Sequence, residues 1–145
     1  MTSLITPECR IRVSSVLNKD AKQFGKKYLT DGVEDTCWNS DQGTPQWIHV
    51  EFPIPVQPNE LQLQFQGGFV GKDVYLEAVD STVSDSFVRV CDIYPKDDNS
   101  TQISFCIEVV KQHLPVRVTK FRLGRCAVLE AGTLPVVVDI LVSYQ

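Results

Sequence analysis

Between Leu61 and Gln66 every second residue is apolar: Leu61, Leu63 and Phe65 alternate with Gln62, Gln64 and Gln66, and the run ends at Gly67-Gly68. Successive side chains of an extended strand point to opposite faces, so this segment buries one face only as a strand. Trp47-Ile48-His49-Val50-Glu51-Phe52 alternates as well and is expected to stop at Pro53, which cannot donate a ladder hydrogen bond. Further strands are expected from Val74 to Val79, Phe87 to Tyr94, Gln102 to Ile107, Val116 to Leu123 and Val136 to Tyr144. About seven short strands, separated by turn-rich stretches such as Pro53 to Asn59 and Pro95 to Ser100, argue for an all-β sandwich or jelly roll. One helical piece is expected between Asp20 and Leu29, with Phe24 and Tyr28 one turn apart, although Gly25 weakens it. Glu108 to His113 offers a further helical turn before Pro115.

The chain of 145 residues fits a single domain spanning 1–145, and its composition, 43% hydrophobic and 22% charged, is that of a folded protein rather than a disordered one. No long apolar run and no secretion-signal pattern at the N-terminus is seen, so neither a membrane span nor export is expected. The cysteines at 9, 37, 91, 106 and 126 are odd in number and form no CxxC pair. Reduced thiols in a nuclear or cytoplasmic setting are therefore expected, and the sequon Asn99-Ser100-Thr101 stays unmodified there. Charge is unevenly distributed: residues 1–27 hold six Lys/Arg against two acids, whereas 31–108 hold three against fourteen. An acidic middle repels phosphate, so DNA binding would have to rest on Arg10, Arg12, Lys19, Lys22, Lys26 and Lys27. Such a cluster is ordinarily a solvated face, and no direct nucleic-acid partner is expected.

Catalytic patterns are missing. His49 and His113 are the two imidazoles, neither stands in a nucleophile motif, and no GxGxxG or P-loop occurs. The segment that carries most information is Tyr28-Leu29-Thr30-Asp31-Gly32-Val33-Glu34-Asp35-Thr36-Cys37-Trp38-Asn39-Ser40, followed by the strand from Gln46 to Phe52. Two readings of it stand side by side. Asp31-Gly32 permits a tight turn capped by Asp31 and Thr36 above a buried Trp38. The same turn can also gather carboxylate, hydroxyl and carbonyl oxygens around a hard cation such as Ca2+.

Asp31, Gly32, Thr36, Trp38, Trp47, Ile48 and Val50 together resemble the signature of the galactose-binding-like superfamily, the discoidin or coagulation factor V/VIII type C domains. Longer stretches, from Arg12 to Asn18, Gln23 to Lys27, Asp35 to Gly43, Gln46-Trp47 and Gln62 to Phe69, look closer to one small member that associates with an orphan nuclear receptor. The likeness is good over roughly residues 8–107 and poor beyond them.

The resemblance implies a galactose-binding-like jelly-roll β-sandwich of about eight strands with adjacent termini, a ligand surface on loops at one end, and no catalysis. It further implies a protein partner, an orphan nuclear receptor whose transcriptional activity is repressed. Relatives hold a structural Ca2+, and the matching positions here are Tyr28, Asp31, Val33, Thr36 and, on the last strand, Asp139, which is shorter than the Glu usual there. An acid within so apolar a strand needs a partner. The ligand end would comprise Asn39, Ser40, Asp41, Gln66, Phe69 and Arg125, with Phe69 either an exposed anchor or a cap over the sandwich. Two other roles stay open: a carbohydrate-binding module, as in secreted relatives, and a fixed subunit of a larger intracellular assembly.

Overall fold

The computed structural model describes residues 2–33, 36–41, 46–56, 60–65, 71–72, 74–81, 84–94, 96, 101–104, 118–124, 127–128 and 137–144. The strands are β1 (Thr2–Ser3), β2 (Arg10–Val13), β3 (Trp38–Asn39), β4 (Ile48–Val56), β5 (Glu60–Phe65), β6 (Gly71–Lys72), β7 (Val74–Val79), β8 (Val88–Ile93), β9 (Thr101–Ser104), β10 (Val118–Gly124), β11 (Ala127–Val128) and β12 (Val137–Tyr144). They form two antiparallel sheets, one ordered β1-β12-β5-β9 with β3 added to β12, the other β2-β4-β10-β7-β8, while β6 and β11 make a small third. This is the β-sandwich expected from the alternation, and the terminal strands are neighbours, with Thr2 opposite Tyr144.

The alternation has its expected consequence. Ile48, Val50 and Phe52 of β4, Leu76 and Ala78 of β7 and Leu63 of β5 are buried, whereas His49 and Glu51 between them are half-buried on the outer face. There His49 meets Phe87 edge-on at 5.6 Å. Full burial of one such aliphatic side chain contributes roughly 1.5–3 kcal/mol. Trp38 and Leu29, both 0% exposed, close the core at the end where β3 joins β12.

Two expectations are corrected, and one strand is added to those expected. β4 does not stop at Pro53 but runs on to Val56. Its pairing with β2 ends at Glu51, and its register with β10 shifts between Val118 and Lys120, so Pro53 and Pro55 fall where no regular ladder bond is required of them. The piece between Asp20 and Leu29 is two short elements rather than one: a helix, α1 (Ala21–Phe24), capped by the Asp20 carboxylate on the Gln23 N–H, and a 3-10 turn over Lys26–Leu29. They part at extended Gly25, where a Cβ would run into the Ala21 carbonyl oxygen, so Phe24 and Tyr28 do not share a helix. Finally, Arg10-Ile11-Arg12-Val13 is an edge strand, a role hidden by reading its arginines only as charge. The expected turn from Glu108 to His113 and the far end of the strand from Gln102 to Ile107 lie outside the described residues.

Candidate functional site

The turn that follows Leu29 is closed by its own short-range bonds. Asp31 Oδ1 accepts from the Val33 N–H at 3.0 Å, and Asp31 Oδ2 accepts a short hydrogen bond from the Thr36 hydroxyl. Thr36 Oγ1 also lies 3.2 Å from the Val33 carbonyl oxygen. Gly32 has a φ of +71°, the left-handed conformation that favours glycine, which lets the chain reverse at this point. The structure thus brings three of the expected ligands, Asp31, Val33 and Thr36, to one exposed point. Tyr28 stands just before them, its N–H bonded to the Gly25 carbonyl at 3.2 Å and its hydroxyl to the Lys22 carbonyl. Asp139 follows Val138, the residue opposite Trp38, on a strand that runs beside the Lys26–Leu29 turn. The backbone therefore carries Asp139 toward this region. Among the described residues no three His, Cys, Asp or Glu side chains converge on a metal position.

A second cluster lies deeper, beside Trp38. Gln46, only 5% exposed, accepts from the Ser14 hydroxyl at 2.6 Å and the Ser15 hydroxyl at 2.7 Å through one oxygen, Oε1. Its Nε2 donates to the Asp41 carbonyl at 3.1 Å. Ser15 Oγ accepts from the Asp41 N–H and Ser14 Oγ from the Trp47 N–H, each at 2.9 Å. The indole N–H of Trp38 donates to the Ser15 carbonyl, also at 2.9 Å. Residues 41 and 46, which flank the loop expected to meet a ligand, are both clamped to β2's end by this clasp. A buried network with its members satisfied is stiff, because breaking any bond strands a desolvated partner.

The expected ligand residues divide accordingly. Asn39 is half-buried and accepts from the Cys37 thiol at 3.6 Å. Ser40 is fully buried, and its hydroxyl turns inward to the Asp41 carbonyl at 2.8 Å, so it braces the loop rather than facing outward. Asp41 belongs to the clasp through its backbone. Gln66, Phe69 and Arg125 lie outside the described residues.

Register adds an aromatic that sequence reading did not count among the ligand residues. Ile48 at the start of β4 is opposite Leu123, Gly124 is opposite Tyr75, and Val74 is opposite Ile93, so all these strand ends share one end of the sheet. Tyr94 emerges there, 86% exposed, at the same end as the clasped loop. Close by, the Arg89 guanidinium lies 4.3 Å over the Tyr75 ring and is ion-paired with Asp92, whose hydrogen bond raises its pKa further. In the sequence Tyr94 stands as the last residue of the strand expected from Phe87, just before Pro95.

No protein-family model matches the chain. Among solved structures it is similar to an F5/8 type C domain from Bacteroides fragilis, with a TM-score of 0.77 at 16% identity covering 99% of this chain and 97% of that one. It is similar also to a family 32 carbohydrate-binding module from Clostridium perfringens in complex with galactose, with a TM-score of 0.72 at 13% identity covering 97% of each. Identities this low speak for the fold alone, which is that of the galactose-binding-like sandwiches. Curated sequences lie much nearer. Nuclear receptor 2C2-associated protein of Danio rerio is 52% identical over 100 residues, 69% of this chain and 70% of that protein. The Homo sapiens protein of the same name is 50% identical over the same shares. The chain belongs to the nuclear receptor 2C2-associated protein family.

Proposed function

We propose that the chain is a non-catalytic recognition module whose partner is a nuclear receptor of the 2C2 type, an orphan receptor whose transcriptional activity it represses, and that it works in the nucleus, the cytoplasm or both. The observation that carries this reading is the identity of about half over 100 residues with proteins named for that association. The clasp supports it physically: a loop held at both ends before a partner arrives loses less conformational freedom on binding. Co-precipitation of the full chain with such a receptor, read by mass spectrometry beside a glycan array, tests it. Stoichiometric recovery of the receptor is expected. A reproducible sugar hit without receptor would replace the proposal with a carbohydrate-binding module, the reading favoured by the galactose-bound neighbour and by exposed Tyr94. Recovery of a fixed set of other subunits would instead mark a component of a larger assembly.

A structural Ca2+ belongs to the same proposal. The ion needs six to eight oxygens at about 2.3–2.6 Å, and neighbouring ligands of one such ion lie roughly 3.4 Å apart. Thr36 Oγ1 is hydrogen-bonded to the Asp31 carboxylate and lies 3.2 Å from the Val33 carbonyl, so oxygens of three expected ligands already share one point. The Tyr28 carbonyl and Asp139 would complete the set, and the ion would supply stability rather than chemistry. A chelator is expected to lower the melting temperature of the native protein and leave Asp31→Asn unchanged. No chelator effect on either protein, together with an unshifted Asp31→Asn, would reduce the turn to one held by hydrogen bonds alone.

A further inference from the structure

The six cations of the N-terminal segment do not scatter over the fold. Arg10 and Arg12 are the exposed positions of edge strand β2, and Lys19, Lys22, Lys26 and Lys27 are exposed on the short elements that follow it. The Lys26–Leu29 turn folds back against β2, which returns Lys26 and Lys27 to the neighbourhood of the arginines. The four lysines lie within nine residues of chain.

The two acids of the segment offset only part of this charge, two against six, and both are engaged locally. The Asp20 carboxylate caps α1 on the Gln23 N–H. The Glu8 carboxylate is held below its ordinary pKa by a hydrogen bond from the Thr6 side chain and by its own backbone. Among the described residues none of the six cations is ion-paired.

Two of the cations are also held in place. Lys27 has its ammonium 4.9 Å over the Tyr28 ring, whose hydroxyl is anchored on the Lys22 carbonyl. Lys19 and its neighbour Asn18 have φ of 56° and 54°, two successive left-handed residues without glycine, pinned by bonds from Lys19 N–H to the Val16 carbonyl at 2.9 Å and from Asp20 N–H to the Leu17 carbonyl at 3.0 Å. Lysine rarely adopts that conformation, and here it is imposed on a side chain presented to solvent.

We propose that Arg10, Arg12, Lys19, Lys22, Lys26 and Lys27 form a docking surface for an acidic segment of a partner protein. Charge complementarity over a short stretch favours that occupant. A nucleic acid extending beyond the patch meets a chain that carries fourteen acids against three Lys/Arg over 31–108, whereas an acidic segment of about eight residues ends within it. The proposal does not depend on which protein supplies the segment.

The test uses the full chain and a fluorescein-labelled peptide of about eight glutamates, titrated at about 50 and about 200 mM salt. Saturable binding is expected, weakening roughly tenfold at the higher salt and at least about fivefold in the double variant Lys22→Glu, Lys26→Glu, but not in Lys96→Glu. Thermal melting checks that the variants fold. Should the double reversal fail to fold, Arg10→Gln with Arg12→Gln decides by the same reading. No saturable binding, or binding indifferent to both variants, overturns the proposal. So does tighter binding of an oligonucleotide of equal charge, which would make the surface a phosphate binder. A dimer in sedimentation that the double variant abolishes would assign the surface to a second copy of the chain and equally overturn it.

Discussion

The Asp31 turn and the Gln46 clasp are adjacent, and both are built of small polar side chains, yet they are held in opposite ways. The turn's hydrogen bonds among Asp31, Val33 and Thr36 join residues two to five apart in the chain, and Asp31 is exposed to water. The clasp joins Ser14 and Ser15 to residues 26 to 33 positions away and centres on Gln46, which is buried, with both serines half-buried. Exposed hydrogen bonds exchange readily with solvent, so their loss costs little, whereas a buried donor or acceptor that loses its partner keeps its full desolvation cost. The turn is therefore a local device that can rearrange at little cost, and the clasp is a fixed part of the fold.

The largest effect that this contrast predicts belongs to Trp38, which roofs the core below the clasp. Trp38→Ala removes a fully buried indole and the N–H bond to Ser15. A loss of about 3–5 kcal/mol in unfolding free energy is expected, measured by urea denaturation. Gln46→Ala comes next. It leaves the Ser14 and Ser15 hydroxyls and the Asp41 carbonyl without their shared partner, and should cost about 2–3 kcal/mol. The Asp41 and Trp47 amides, bonded to those serines, should at the same time exchange their hydrogens faster. A cost below about 0.5 kcal/mol would erase the distinction between clasp and turn.

Gly25→Ala probes the support common to both regions. The break at Gly25 lets the Lys26–Leu29 turn pack against β2, β3 and β12 and bury Leu29. An added Cβ meets the Ala21 carbonyl oxygen, and backbone yields less easily than a side-chain end. About 1–3 kcal/mol of destabilisation is expected in the same denaturation experiment.

The contrast also explains what could be read from the sequence. Period-two alternation and short apolar runs bounded by turn residues located β4, β5, β7, β8, β9, β10 and β12, because burial of one face writes itself into every second residue. β2 was less legible because it is only four residues long and its outward positions are arginines, which mark a solvated face as readily as a strand. Asp31 and Thr36 were identifiable since a turn's partners are its own neighbours, whereas Val33 came only with the family resemblance. Gln46 was not: its partners Ser14 and Ser15 are more than thirty residues away, and no periodicity marks a serine that bonds across a fold. Tyr94 joined the candidates only when register placed the end of β8 at the same end of the sheet as the start of β4.

The smallest expected effect discriminates most finely between the two regions. Thr36→Val keeps the side chain's shape and removes the hydroxyl that bonds both Asp31 and the Val33 carbonyl. In the presence of a chelator the loss should stay below about 1 kcal/mol, because the freed oxygens face water. Adding Ca2+ separates the alternatives. If the hydroxyl is an ion ligand, the native melting temperature rises with Ca2+ and that of Thr36→Val rises less; if it is only a turn-closing donor, neither moves. A variant that lost several kcal/mol without Ca2+ would place the turn in the same class as the clasp and remove the distinction between local and tertiary support.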